Sequence, residues 1–145
     1  MDMVHNVKKI LIVEDDMALK PIWEKFFRLF SNQIRLEWAV SCEEATKMVQ
    51  LANDTAGSYF LIISDIFLAG SKTGIQLINS PEVSASHAKT VLISAADRED
   101  VIAKFGHIVP DTLVISKPFN FKTYNPLFKA LLNGHLVDEQ VGHEI

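Results

Sequence analysis

The sequence predicts a doubly wound α/β domain, in which helices cover both faces of a five-stranded parallel sheet. Three observations support this prediction. Five short apolar runs alternate with about five longer segments of helical period, which is the pattern of βαβ units. No internal repeat, low-complexity stretch or long linker interrupts the alternation. The chain has 145 residues, 48% of them hydrophobic, which is enough to bury the core of one domain.

Each predicted strand is a short apolar run that ends at a polar or small residue. The runs are residues 9–13, 34–40, 59–63, 90–93 and 113–115. Short runs that are apolar almost throughout are typical of strands buried on both faces of a parallel sheet. Because helical segments separate them, the strands are expected to be joined by helical crossovers.

The first two helices are predicted from their starts and their apolar faces. Pro21 lacks a backbone N–H, so the first helix should begin near Ala18 or Leu19, which places the proline in the first turn. The second helix should begin at Ser41, which with Glu44 has the spacing of a capping box. The expected buried faces of the two helices are Trp23, Phe26, Phe27 and Phe30, and Ala45, Met48, Val49 and Ala52.

The next two helices are marked by glycines, a proline and an N-cap residue. A third helix is predicted from about Gly74 to Asn79, with Pro81 either limiting it or beginning a new turn. Asp97 is a suitable N-cap for the following helix, and Gly106 is a suitable end.

The start of the last helix is predicted from an Asn-Pro pair. Asn125 and Pro126 are interpreted as its N-cap and first residue, and Asn133 and Gly134 as its end. The whole chain, 1–145, is then expected to be one domain with a core at about 8–133 and short tails at 1–7 and 134–145. The segment after Gly134 is too short for an output domain, so the chain is expected to act through a partner.

Composition and charge argue against several classes of protein. The formal net charge is −4, the pI is near 5.7 and no run of Lys and Arg occurs, so a nucleic-acid-binding face is not expected. The single cysteine, Cys42, excludes an internal disulfide and suits a reducing compartment. Residues 1–6 lack the features of a signal peptide, and the apolar stretch 59–63 is too short to span a bilayer. We therefore expect a cytoplasmic protein that binds neither nucleic acid nor a membrane.

Carboxylates, a hydroxyl and an amine are expected to converge at one edge of the sheet. Parallel α/β sheets bind ligands beyond the carboxyl ends of their strands. The residues that follow strands one, three, four and five are Glu14 and Asp15, Asp65, Ser94, and Lys117. Clustered carboxylates repel one another unless protons or a cation intervene, so Mg²⁺, or Mn²⁺ in its place, is the expected partner.

The same residue types favour phosphoryl transfer over a structural metal site. Mg²⁺ commonly takes one or two carboxylates, several waters and phosphate oxygens. Lys117 and Ser94 can stabilise the oxygens of a transferring phosphoryl group, and an aspartate can be the nucleophile beside a metal ion and a cation. Asp16 is interpreted differently, as an acid that complements the dipole of the following helix.

Four stretches resemble the signatures of response regulator receiver domains, in the order and with the separations typical of that family. They are residues 10–16, 62–65, 91–95 and 116–119. The resemblance covers about 8–133 and implies a flavodoxin-like sheet with strand order 2-1-3-4-5. It also implies that Asp65 is the phosphoacceptor.

The resemblance implies further roles at the acidic edge of the sheet. Glu14 and Asp15 would be the acidic pair that holds Mg²⁺, together with Asp65 and the backbone carbonyl of Phe67. The phosphoryl group would be stabilised by four other positions: the mobile hydroxyl of Ser94, its small neighbour Ala95, the cation Lys117, and Pro118, whose peptide bond is usually cis in the family.

Two departures from the family pattern concern the loop after Asp65 and the switch position. Ala69 stands where the family usually has proline, and the loop to Gly74 is one residue longer. Val114 stands three residues before the active-site lysine, where the family often has Tyr or Phe as a rotamer switch coupled to the Ser/Thr. An aromatic switch at the usual position is therefore absent.

The lifetime of the phosphorylated state is expected to depend on two apolar side chains. In receiver domains, the positions two residues after the acceptor and two after the Ser/Thr flank the path of the attacking water. Here they are Phe67 and Ala96, neither of which can hydrogen-bond a water through its side chain. Since orienting the water is a large part of hydrolysis, we expect slow self-dephosphorylation.

The leading hypothesis is a phosphoacceptor signalling module of a two-component system or phosphorelay. It would receive its phosphoryl group from a sensor histidine kinase or a histidine phosphotransfer protein. It would signal to a protein partner through a face from about Arg98 to Leu132, and it would not be a turnover enzyme. The alternative is a receiver-like scaffold that binds a partner independently of phosphorylation.

Two enzyme classes with similar layouts fit the sequence poorly. Phosphatases of the haloacid dehalogenase type carry a second acid two residues after the nucleophile, where this chain has Phe67. A flavin carrier would need a Ser/Thr/Gly-rich phosphate loop after the first strand, where residues 14–16 are all acidic.

Overall fold

The computed structural model describes residues 7–30, 33–55, 57–108 and 110–133. The strands are β1 (Lys8–Val13), β2 (Ile34–Ala39), β3 (Leu61–Asp65), β4 (Lys89–Ser94) and β5 (Leu113–Ser116). The helices are α1 (Lys20–Arg28), which a 3₁₀ turn at Met17–Leu19 precedes, α2 (Cys42–Asp54), α3 (Gly74–Ile78), α4 (Pro81–Ser86), α5 (Arg98–Phe105) and α6 (Phe121–Asn133). Among these described helices, none has the length and apolar character needed to cross a membrane.

The five strands form one parallel sheet in the order β2-β1-β3-β4-β5, which confirms the predicted topology. Val13 at the end of β1 pairs with Ala39 on one side and Ser64 on the other. Farther along the sheet, Asp65 pairs with Ile93, and Ser94 with Ser116. Because all pairs are parallel and nearly in step, the carboxyl ends of the strands meet at one edge.

Helices cover both faces of the sheet and divide the core into two layers. In β1, Leu11 and Val13 belong to one layer, while Ile10 and Ile12 belong to the other, because successive side chains of a strand point to opposite faces. The first layer lies under α2–α5, and the second under α1 and α6. All four side chains are at most 1% exposed, which explains the nearly unbroken apolar run.

The second layer contains the aromatic face predicted for α1. Trp23, Phe26 and Phe27 are buried there, while Phe30 is half-buried and lies beyond the end of the helix. They pack edge-to-face and stacked against one another and against aromatic rings that follow β5. These partners are Phe119, Phe121 and Phe128.

Helix N-caps occur at two of the predicted positions, Ser41 and Asp97. The Ser41 hydroxyl accepts from the backbone N–H of Glu44 at 3.0 Å, and the Asp97 carboxylate accepts from that of Asp100 at 2.9 Å. Asp16, predicted only to complement the helix dipole, caps the 3₁₀ turn: its carboxylate accepts from Ala18 N at 3.1 Å. The glutamate of the Ser41 box accepts from Val40 N rather than from Ser41 N, one residue earlier than in a standard capping box.

The predicted start of the last helix is wrong. Helix α6 begins at Phe121, and Pro126 lies inside it. The side chain of Asn120 accepts from Thr123 N at 3.1 Å, so Asn120 has the capping role that was assigned to Asn125. Burial of aromatic rings against the sheet holds this first turn in place despite the proline, and the helix ends at Asn133. Gly134, the other half of the predicted end, lies outside the described residues.

The region after β3 holds two short helices, so the structure has six α-helices in the described residues rather than about five. Helix α3 ends at Ile78, and Pro81 begins a new helix, which was the second of the two predicted possibilities. Ser80 caps this helix through Val83 N at 3.3 Å, and the proline occupies the first turn, where no N–H is required.

Candidate functional site

Three carboxylates form one cluster at the carboxyl edge of the sheet. Glu14 and Asp15 follow β1, and Asp65 is the last residue of the adjacent strand β3. One carboxylate oxygen from each of the three lies within 4.8 Å of the others. Glu14 is 6% and Asp65 8% exposed, whereas Asp15 is exposed to solvent. The cluster is therefore buried on one side and open on the other.

A lysine in the loop after the edge strand β5 completes the cluster. The ammonium Nζ of Lys117 lies 2.8 Å from Oδ1 of Asp65. The backbone N–H of Lys117 donates to the carbonyl of Ser94 at 2.7 Å, which anchors the start of this loop on β4. The peptide bond between Lys117 and Pro118 is cis, as the resemblance implied, and Pro118 is exposed.

The pKa of Glu14 is raised in this cluster, mainly by burial. Burial raises the pKa of Glu14 to about 7, and the charge of Asp65 and a hydrogen bond with Asp15 act in the same direction. A hydrogen bond from Asp16 N, at 3.1 Å, and the charge of Lys117 oppose the increase. A divalent cation would favour the ionised form of such a carboxylate.

The donor set of the cluster fits Mg²⁺. All three side chains offer oxygen, which this hard cation prefers, and one face remains open for water or phosphate oxygens. Mg²⁺ binds oxygens at about 2.1 Å, so ligands on opposite sides of it lie about 4.2 Å apart. The separation in the structure, at most 4.8 Å, is close to that requirement. The carbonyl of Phe67 stays a predicted ligand.

Ser94 lies at the same edge, and its hydroxyl is engaged within its own loop. The residue is 6% exposed, and its Oγ accepts from Ala96 N at 3.0 Å. Ala95 is exposed, and Ala96 is half-buried against the core layer that also contains Val114. A movement of the hydroxyl toward Asp65 would therefore exchange the hydrogen bond from Ala96 for a new one.

The loop after Asp65, which departs from the family pattern, is tied to the start of α2. Ala69 pairs with Ser41 in an isolated parallel bridge, and Ser71 donates to the carboxylate of Glu43 at 3.2 Å. Gly70 has φ +93° and lies so close that a Cβ would be 2.9 Å from Glu43 Oε1. The glycine is required for its backbone conformation, whereas the exposed carboxylate of Glu43 could move away from a Cβ.

Gly74 has a role at the site that the sequence alone did not reveal. A Cβ on this residue would lie 2.1 Å from the carbonyl oxygen of Asp65, which no side chain can tolerate. Its N–H donates to the carbonyl of Ile66 at 2.8 Å. Helix α3 can therefore begin directly against the end of β3. The signal in the sequence was a glycine a few residues after the acceptor, where the family also has one.

Phe67 is a large apolar side chain in an exposed position beside the site. It lies two residues after Asp65 and is 62% exposed. Its ring centroid is 5.6 Å from that of Phe105, the last residue of α5. The sequence identified Phe67 by its place after the acceptor, but contained no signal that it would contact a residue 38 positions away.

Comparison with solved structures identifies the fold. The receiver domain of the hybrid histidine kinase CckA is 24% identical, with a TM-score of 0.62, and the match covers 86% of this chain and 98% of that domain. A CheY-like receiver domain protein of Methanospirillum hungatei JF-1 is 22% identical, with a TM-score of 0.67 and coverage of 88% and 95%. A two-component response regulator of Clostridium difficile is 22% identical, with a TM-score of 0.64 and coverage of 87% and 96%.

The similarity between this chain and these solved structures is a similarity of fold. No protein-family model and no curated protein matches the sequence. At these identities, the comparisons show that the chain has the fold of response regulator receiver domains, with the strand order found above. The chemistry of this chain must be argued from its own residues.

Proposed function

We propose that this chain is the phosphoacceptor module of a two-component system or phosphorelay. Asp65 would take a phosphoryl group from the phosphohistidine of a sensor histidine kinase or a histidine phosphotransfer protein. One observation carries the proposal: the carboxylate of Asp65 is paired with Lys117 at 2.8 Å and grouped with Glu14 and Asp15 at one edge of a receiver fold. A lysine and three acids that converge from the ends of three strands suit phosphoryl transfer to a carboxylate.

Asp65 would be the nucleophile of the transfer, and Lys117 would stabilise the negative charge. Lys117 engages Oδ1 of Asp65, so the other carboxylate oxygen is available to attack phosphorus. The P–O bond to Asp65 forms as the P–N bond to the donor histidine breaks, and the histidine leaves. Lys117 also faces the negative charge on the phosphoryl oxygens.

The acidic side chains would hold the metal ion that the reaction needs. Glu14, Asp15, Asp65 and the carbonyl of Phe67 would bind Mg²⁺, which neutralises charge on the phosphoryl oxygens when it is bound. Mn²⁺, which also prefers oxygen ligands, could take its place.

Downstream signalling would use the face formed by residues 98–132, which contains α5, β5 and α6. Helix α5 begins three residues after the Ser94–Ala95 pair, so it lies next to the part of the site expected to move.

We further propose a cytoplasmic location, which the single cysteine and the phosphohistidine donor support. The module would accept a phosphoryl group without being a turnover enzyme. The purified protein should therefore be colourless, unlike a flavin carrier, and should not hydrolyse aryl phosphates, unlike a phosphatase.

Labelling by a small phosphodonor tests the proposal. Acetyl phosphate or phosphoramidate should modify Asp65, and only with Mg²⁺ or Mn²⁺ present, because the clustered negative charge must be neutralised before an anionic donor can approach. Mass spectrometry of the intact protein measures the added mass, with Asp65→Asn as the control. Equal labelling of the native protein and Asp65→Asn would refute the assignment.

A phosphorylation-independent scaffold is the second candidate, and Val114 is the observation that favours it. The side chain packs half-buried in the core layer and offers no ring to follow a movement of Ser94. The two functions differ in one measurable quantity. A partner that binds the native protein equally well with and without beryllofluoride, a phosphoryl analogue, would support the scaffold. A change in affinity would support the signalling module.

A further inference from the structure

We propose that Phe67 is a positioning residue that transmits the state of Asp65 to helix α5 through its ring contact with Phe105. The contact would replace the aromatic side chain that position 114 lacks. This inference rests on the proposed function, because Asp65 must be the phosphoacceptor for its state to change.

The contact joins the acceptor loop to α5 through three side chains. The rings of Phe67 and Phe105 are 5.6 Å apart between centroids and inclined at 64°, which is a favourable edge-to-face arrangement. The ammonium Nζ of Lys104 lies 5.9 Å from the Phe67 centroid and 5.5 Å from the Phe105 centroid. Both distances allow attraction between the cation and the aromatic rings.

Core packing does not explain the position of Phe67. The side chain is 62% exposed, so a ring in this place gains little from removal from water. Phe105, in contrast, is half-buried and packs against the core layer that contains Val101 and Val114. A continuous series of side-chain contacts therefore runs from the acceptor loop to the layer in which the usual switch residue would lie.

Helix α5 buries few side chains; its start follows the Ser94 loop in the chain, and its end contacts the acceptor loop. Of its eight residues only Val101 is buried, whereas α2 buries Cys42, Ala45, Val49 and Ala52. A helix with few buried side chains can shift at low cost. Its N-cap, Asp97, closely follows the Ser94 loop, and its last residue, Phe105, contacts the acceptor loop.

Phosphorylation of Asp65 would act on both ends of α5. A phosphoryl group on Asp65 adds charge and volume two residues before Phe67, so the acceptor loop must adjust. The ring contact carries that adjustment to the end of α5, while the Ser94 loop acts on its start. Packed side chains with two arrangements are the ordinary carriers of such coupling.

Amide spectra with and without beryllofluoride and Mg²⁺ test the proposal. The measured quantity is the change in amide chemical shift across residues 98–105 on addition of the analogue, compared within each variant. In Phe67→Ala this change should fall by more than about half, the size expected when a coupling residue is removed. The change at Ser94 should persist. Phe67→Tyr, which keeps the ring, should restore the response of α5.

Two further variants separate coupling from a general effect on the helix. Ile102→Ala removes an exposed apolar side chain that lies on α5 itself and should leave the response intact. Phe105→Leu keeps apolar volume but removes the second ring. The double variant Phe67→Ala with Phe105→Leu should show the same α5 response as Phe67→Ala alone, because the ring contact is already lost in the single variant.

The outcomes distinguish this inference from the proposed function. If the native protein takes no label on Asp65, the proposed function fails, and the inference fails with it. If Asp65 is labelled in the native protein and in Phe67→Ala, yet α5 responds equally in both, only the inference is refuted. A labelled Phe67→Ala whose α5 no longer responds, with the response restored in Phe67→Tyr, supports it.

Discussion

The side chain of Lys117 combines a short ion pair with considerable exposure. Its Nζ lies 2.8 Å from Asp65, yet 40% of the side chain is accessible to solvent. Because the lysine is open to water, although Asp65 is mostly buried, solvent screening limits what the pair contributes to stability. The charge of this lysine therefore matters to the site more than to the fold.

Replacement of Lys117 should separate folding from signalling. We expect Lys117→Ala to fold normally but to lose the conformational response to a phosphoryl analogue, because the charge complementary to the phosphoryl oxygens is gone. A beryllofluoride titration followed by the amide shifts around Ser94 measures the response. Lys122→Ala, at an exposed lysine in α6, is the matched control. Native shift changes in Lys117→Ala would contradict the role.

Phe67 and Ala96 lead to a prediction about the lifetime of the phosphorylated state. Neither side chain can orient a water for attack on phosphorus, and we expect one water-orienting group to be worth roughly ten- to a hundredfold in rate, at or below the lower end of the range for general acid–base groups. The native protein should therefore lose its phosphoryl group slowly, so that signal decay depends on a phosphatase or on transfer to another protein. A polar variant at position 67 should fold, because the side chain of Phe67 is exposed.

The measurement is the decay of phosphorylated protein in Mg²⁺ after the donor is removed. Phe67→Asn and Ala96→Glu should each decay faster than the native protein, and the double variant fastest. Phe67→Leu, which is also apolar, is the control and should decay slowly. Native decay as fast as that of the double variant would show that these side chains do not set the lifetime.

Among the secondary-structure elements, α6 shows how packing overrides local preference. Pro126 is the sixth of its 13 residues, and a proline at this position offers no N–H to the carbonyl of Lys122. The turn is held nonetheless, because Phe121 and Tyr124 pack on the aromatic layer and Asn120 caps the start. The proline is exposed, so it adds little core packing in return.

Removal of this proline should stabilise the protein. Pro126→Ala restores a hydrogen bond and a residue of high helix propensity, so the free energy of unfolding should rise by about 1–3 kcal/mol. Urea unfolding followed by circular dichroism measures it. Lys129→Ala, at an exposed position one turn later, should change stability by less than about 0.5 kcal/mol. An unchanged or lower stability of Pro126→Ala would mean that the helix is already adapted to the proline.

At the scale of the whole molecule, the aromatic layer between α1, α6 and the sheet connects stability to the site. Phe119 follows Pro118 in the loop of Lys117, and its ring centroid lies 4.8 Å from that of Trp23. Phe128 is completely buried in the same layer. The loop that carries the active-site cation is therefore anchored in the core of one face of the domain.

Truncation of Phe128 should destabilise the whole domain. Phe128→Ala should lower the free energy of unfolding by about 3–5 kcal/mol, the usual cost of such a cavity. Leu29→Ala, at a side chain that is 72% exposed, should change it by less than about 0.5 kcal/mol. Urea unfolding followed by tryptophan fluorescence and by circular dichroism measures both. A loss below about 1 kcal/mol in Phe128→Ala would show that the layer collapses around the cavity.

The strands, most of the caps and the grouping of site residues could be read from local patterns. A short apolar run such as 9–13 indicates a buried strand, a serine at position 41 caps the helix that comes after it, and acids at the ends of parallel strands meet at one edge. Glu14, Asp15, Asp65 and Lys117 were accordingly expected together, and the structure brings them together.

Other features depend on contacts between residues far apart in the chain, which no local pattern encodes. The Asn125-Pro126 pair locally favours a helix start, and so the predicted start of α6 was wrong. Packing of Phe121 and Tyr124 on the core layer under α1 and α6 places the start at Phe121 instead. Gly74 is required only because α3 approaches the carbonyl of Asp65. The contact of Phe67 with Phe105 likewise exists only once α5 lies beside the acceptor loop. The free energy of such contacts comes from packing in three dimensions, and so the tertiary fold determines them.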